Sequence, residues 1–136
     1  MVKKFAIKQL KPSAAVIGKP QEKIVFSFSE LRPFSYVDGR NDALFFISFL
    51  ERLKKLCSLD WNTVNASARH SFGTEKMSVD DLTTAAKQHV PEGMTSLLVF
   101  RATGDNHVFL GYRDGNVFQI IFIEYNFGDV YSHGKK

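Results

Sequence analysis

The chain has 136 residues, 44% of them hydrophobic, with a formal charge of +4 and a single cysteine. That composition excludes a disordered polymer and a disulfide-stapled scaffold, and no apolar run approaches the ~20 residues of a membrane-spanning helix. A chain of this length buries a sizeable core, and thirteen Phe against one Trp and four Tyr predict a core of packed rings.

The charge is unevenly spread. Lys3, Lys4, Lys8, Lys11, Lys19 and Lys23 face only Glu22 near the N-terminus, and Lys135 and Lys136 close the chain, which leaves residues 24–134 mildly acidic. No basic stripe for nucleic acid is therefore written into the body, and the arm reads as a solubilising tail or a polyanion-binding segment. Pro12, Gly18 and Pro20 predict an irregular basic arm over residues 1–22, with a short strand at Phe5–Ile7, ahead of a single α+β domain over 23–136. The N-terminus lacks the apolar stretch of a signal peptide, so a cytoplasmic protein is expected. Cys57, at the end of an amphipathic helix, is expected to be a buried, inert thiol.

In chain order, KIVFSFS (23–29) alternates as a half-buried strand does, and Pro33 with Asp38-Gly39 makes residues 31–41 a loop. Asp42 is placed to cap a helix over 43–57, whose apolar face is read as Phe46, Phe49, Leu50, Leu53, Leu56 and Cys57. Asp60 caps a second helix over 61–67, with Leu59 and Val64 as its hydrophobic staple and Trp61 in a core or staple role. Residues 69–77 read as a loop, and Ser78 starts a third helix over 79–88 that Pro91 and Gly93 end. Three strands follow at 95–102, 107–112 and 117–124, the last pair joined by a hairpin turn at Asp114-Gly115. Strand 117–124 is almost continuously apolar, which predicts cover on both its faces. The fold class is α+β: an N-terminal strand, with helices 43–57, 61–67 and 79–88 packed on a C-terminal three-strand antiparallel meander.

There is no Gly-rich phosphate loop and no zinc-ligand spacing, so neither cofactor nor metal is expected. Two clusters could carry chemistry. Arg69 and His70, with Glu75 and Lys76 close behind, supply groups for acid–base work or anion binding, against an ordinary reading as loop polarity that suits Lys76 best. Arg101, Arg113, Tyr131 and His133 could meet at one end of the meander, the arginines holding a phosphate, His133 moving a proton and Tyr131 stacking on a base. The ordinary reading is an edge Arg, a solvated turn Arg and a frayed terminus, and Arg113 suits it best.

The order of strand, helices and meander, together with DGNVFQIIFIEYNFGDVY and the trailing Tyr131-Ser132-His133, resembles the RelE/ParE-like superfamily of bacterial toxins. The resemblance implies a small toxin of a toxin–antitoxin system that cleaves mRNA at the ribosome or poisons gyrase and is neutralised by a protein antitoxin. It implies Arg101, Tyr131 and His133 as catalytic residues and Arg113 as a substrate-binding one; the first cluster, read from its own residues, adds Arg69 and His70 as catalytic candidates and Lys76 as a substrate contact. The leading expectation is a metal-independent endoribonuclease that acts on RNA or the ribosome and not at a membrane. The alternative is a non-catalytic interaction module, such as an antitoxin, a phage-encoded inhibitor or a subunit of a larger complex.

Overall fold

The computed structural model describes residues 22–68 and 72–132. Among the described residues, five strands form one mixed sheet: β1 (Val25–Ser27), β2 (Glu75–Ser78), β3 (Ser96–Arg101), β4 (Val108–Asp114) and β5 (Val117–Ile123), in the order β1-β5-β4-β3-β2. β3, β4 and β5 are the expected antiparallel meander, β2 pairs antiparallel with β3, and β1 pairs parallel with β5. Among the described residues, no helix is long and apolar enough to cross a membrane.

Helix α1 (Ala43–Cys57) begins where the Asp42 carboxylate accepts a hydrogen bond from the Phe45 N–H at 3.1 Å, which satisfies one of the otherwise unpaired amides of the first turn. Its buried face is Phe45, Phe49, Leu53 and Leu56, so it is rotated from the face read in the sequence. Leu50 is 62% exposed and Cys57 is exposed rather than buried; Leu44 and Ile47 also face outward. Helix α2 (Trp61–Ala66) is capped by Asp60, which accepts from the Thr63 N–H at 2.8 Å. Trp61 and Val64 are buried, and Leu59 packs against the same cluster.

The sheet has two covered faces. On one, Phe100, Phe109, Phe118, Ile120 and Ile123 meet α1, α2 and Phe26. On the other, Leu97, Val99, Val108, Leu110, Ile121 and Phe122 meet Leu82, Ala86 and Val130. β5 thus supplies both faces, as its continuous apolar run implies. An irregularity at Leu110/Gly111 lets the adjacent Ile121 and Phe122 fall on the same face. The freed Ile121 carbonyl accepts from the Arg32 N–H at 2.9 Å. Gly111 is required there, because a Cβ would lie 1.8 Å from the Gln119 carbonyl oxygen. The β4–β5 hairpin closes through Gly115-Asn116, with Gly115 at φ +66°, the backbone sign that a two-residue hairpin turn demands.

Two segments differ from their sequence reading. Part of the expected loop 69–77 is strand β2, whose residues are mostly exposed at the sheet edge, so no apolar alternation marks it. The expected helix 79–88 is a single 3₁₀ turn (Val79–Asp81) followed by the short helix α3 (Thr84–Lys87). Tertiary contacts divide it. Ser78 Oγ caps the 3₁₀ turn, Leu82 bridges to Tyr131, and Thr83 restarts the helix by accepting from the Ala86 N–H at 3.1 Å. Thr83 is itself tied to the C-terminal segment, its N–H donating to Val130 O and its hydroxyl to Asp129 O. The expected strand at Phe5–Ile7 lies outside the described residues.

Candidate functional site

The polar groups converge where β3 ends and β4 begins. Arg101, the last residue of β3, pairs with Val108 across a turn that closes with the Ala102 N–H donating to His107 O at 2.9 Å. Asp105 organises this turn through one oxygen. Its Oδ1 accepts from the Thr103 hydroxyl at 2.6 Å and the His107 N–H at 2.9 Å, and lies 2.6 Å from His107 Nδ1. Burial pushes the Asp105 carboxyl up, but the hydrogen bonds from Thr103 and from the His107 backbone and ring, with the His107 charge, outweigh it and hold the group at about 2.

The other His107 nitrogen, Nε2, faces the Tyr125 carbonyl oxygen at 3.1 Å. The ring is stacked on Phe127 with centroids 4.4 Å apart and meets Phe45 edge-on at 4.9 Å. Tyr125 then donates its hydroxyl to Asp42 Oδ2 at 2.8 Å, so the cap of α1 is joined to the β3–β4 turn by one relay of polar contacts. That hydroxyl bond, then the Phe45 N–H and the His107 charge, hold the Asp42 carboxyl below the usual range against a smaller opposing effect of burial. The same bond to Asp42, with burial and the Asp42 charge, pushes the Tyr125 phenol up.

Between this turn and α1 runs a groove made of two adjoining cavities of about 210 Å³ each. They share Arg52, Thr103 and Gly104; Ser48, Glu51 and Lys55 of α1 line one, and Arg101, Asp105 and Asn106 line the other. Arg52 lies over the Phe72 ring, with its guanidinium carbon 4.8 Å from the centroid. Burial, and secondarily the Arg101 charge, lower the Arg52 pKa. Two guanidinium groups near enough to feel one another and the Lys55 ammonium line the groove together with the Glu51 and Asp105 carboxylates, so its positive charge is partly balanced. Arg101 is braced for this by donating from Nη1 to Asp105 O at 3.2 Å and to Asn106 Oδ1 at 2.6 Å.

The sequence-predicted residues divide three ways. Arg101 and Tyr131 come together, lining a cavity of about 20 Å³ with Glu75, a space the size of one water molecule. Tyr131 is held there by the fully buried Glu124 carboxylate, which accepts from the Val130 and Tyr131 N–H groups at 2.9 and 3.3 Å. Arg113 does not join them. It lies near the opposite end of β4, donates to Gly115 O at 2.7 Å and covers the Trp61 ring at 4.5 Å. Lys76 is exposed on the edge strand β2, paired in register with Leu98. Arg69, His70 and His133 lie outside the described residues.

Arg52, His107, Asp105 and the Asp42–Tyr125 pair were not singled out as functional from the sequence. Arg52 reads as part of the polar side of α1, although its place between Phe49 and Leu53 puts it beside the buried face. Thr103-Gly104-Asp105-Asn106 reads as an ordinary turn, although its Thr-x-Asp-x-His spacing is what lets one carboxylate oxygen collect three contacts. Among the described residues, no group of three or more His, Cys, Asp or Glu is placed to hold a metal ion. No protein-family model matches the chain, and no curated protein or solved structure matches it either.

Proposed function

We propose that the protein binds RNA through its phosphates in the groove between α1 and the β3–β4 turn, as a toxin-like endoribonuclease would. The observation that carries this reading is the convergence of Arg52, Arg101 and Lys55 on one groove in a body whose overall charge is not basic. Guanidinium groups so placed bind a phosphodiester and stabilise the extra negative charge of a pentacoordinate phosphorane. Cleavage would proceed by attack of the 2′-oxygen on phosphorus, with a base removing the 2′ proton and an acid protonating the departing 5′-oxygen. Both ring nitrogens of His107 already face acceptors, which suits it to holding the turn rather than shuttling protons. In this scheme His133, or alternatively His70, acts as the base or acid, a role read from the sequence.

The test is induced expression in a bacterial host of the wild type beside Arg101→Ala and His133→Ala, following growth and total RNA integrity, with binding of a labelled single-stranded oligoribonucleotide measured on the purified chains. Growth arrest with RNA cleavage in the wild type, lost in both variants, is the expected result. RNA binding without cleavage would retain the binding role and remove the enzymatic one. A wild type that neither binds RNA nor arrests growth would overturn the proposal. The exposed Leu44, Ile47 and Leu50 on α1 favour a second reading as a protein-interaction module, since such apolar side chains on one helix mark contact surfaces.

A further inference from the structure

We infer that His107 is a positioning residue that keeps the Asp105 carboxylate from opposing anions in the Arg52–Arg101 groove. The inference rests on the reading of that groove as an RNA-phosphate site. Asp105 lines the groove beside both arginines, and an uncompensated carboxylate there would repel a phosphate and compete for the guanidinium groups. Its Oδ1 is instead directed at the His107 ring, 2.6 Å away, and the ring is fixed on its far side by Tyr125 O at 3.1 Å. Phe127 and Phe45 pack against the imidazole, so its direction is set by stacking as well as by polar contacts. Because Tyr125 continues to Asp42 at the start of α1, one relay holds both walls of the groove, the turn that carries Asp105 and the helix that carries Arg52.

The test uses the full chain and a labelled single-stranded oligoribonucleotide of mixed sequence, with affinity read by fluorescence anisotropy. His107→Phe keeps an aromatic ring against Phe127 and Phe45 but removes both polar contacts. It is expected to weaken binding about tenfold, the scale of one partly screened unit charge at close range. Adding Asp105→Asn to that variant removes the carboxylate charge that the His107 ring holds in place and is expected to restore affinity to near the wild-type value. A double variant as weak as His107→Phe would show that the histidine only supports the turn, and would overturn the inference. So would a His107→Phe protein that binds as the wild type does.

Unfolding followed by Trp61 fluorescence checks that each variant folds. Should His107→Phe not fold, His107→Leu takes its place, with and without Asp105→Asn: weakened binding that Asp105→Asn restores is expected, and weakened binding that it does not restore overturns the inference. A wild type that binds no RNA removes the groove reading itself, a result separable from a wild type that binds and is indifferent to His107.

Discussion

Replacing Phe109 by Ala removes the ring at the centre of the aromatic core. Phe109 is fully buried, lies parallel to Phe100 at 5.1 Å, and meets Phe26, Phe49 and Phe118 edge-on at 5.7, 5.2 and 5.9 Å. The strands and α1 fix the positions of those four rings, so they cannot close over the space left behind. The loss is expected at about 3–5 kcal/mol, the sum of lost transfer and residual cavity. Against a global stability of roughly 5–15 kcal/mol and a urea slope of roughly 1–3 kcal/mol/M, the urea midpoint should fall by about 2 M. Trp61 is a native probe for this measurement, because it is the chain's sole tryptophan, is buried, and packs on Phe100 and Phe118 at 6.0 and 6.2 Å. Phe28→Ala is the control: Phe28 is 47% exposed, and its loss should cost under about 1 kcal/mol. Equal midpoints for the two variants would refute the packing argument and place Phe109 outside the cooperative core.

Other changes test the bulge, the turn and the groove. Gly111→Ala should destabilise the fold as strongly as a core truncation, because the added methyl strikes a backbone carbonyl that no rotamer change can move; thermal unfolding by circular dichroism measures it. Asp105 is held at about 2 in the fold, below the ~3.9 of an unfolded carboxyl. Its stabilising effect is therefore fully present above the unfolded value and lost as pH falls from ~3.9 through 2. The urea midpoint of Asp105→Asn, followed from neutral to acid pH, should show a shallower decline over that range than the wild type. Arg52→Ala should weaken RNA binding and lower the salt slope, whereas Arg113→Ala, at the far end of β4, should leave both unchanged; an equal loss in the two would displace the site from the groove.

The elements legible in the sequence are those whose signals are local. Asp42 and Asp60 each cap the helix predicted behind them, and Asp114-Gly115 marks the hairpin because only a few residues, Gly foremost, accept a positive φ at its first turn position. The α1 face was harder to read, since apolar residues occupy 43–47, 49, 50, 53, 56 and 57 and several faces satisfy a helical period. Contact with His107 and Tyr125 selects Phe45 as part of the buried face, and both partners are remote in sequence. β2 is a strand because β3 pairs with it, and nothing in Glu75–Ser78 announces that partner. Arg101 was recognisable as the polar end of an apolar strand, but its companion Arg52 sits on another element. Arg113 is separated from Arg101 by simple geometry: Val108, opposite Arg101, and Arg113 are five residues apart on β4, roughly 17 Å at the rise of an extended chain.

The pairing of β1 with β5 carries a consequence for biosynthesis. Val25 must find Val117, so the first strand waits for about 90 further residues before its partner exists. At an elongation rate on the order of 5–20 residues per second, that wait lasts roughly 5–20 s. During it Ile24 and Phe26, destined for the core, have no sheet to join, and the nascent chain presents them to any chaperone or like chain nearby. A ribosome that stops before Val117 leaves a product that carries the α1 and β1 sequences but has neither a partner strand for β1 nor the Phe118 part of the aromatic floor beneath the helix. Such fragments expose apolar side chains and an unpaired strand, the features that favour aggregation and proteolysis, and only the complete chain can form the five-strand order.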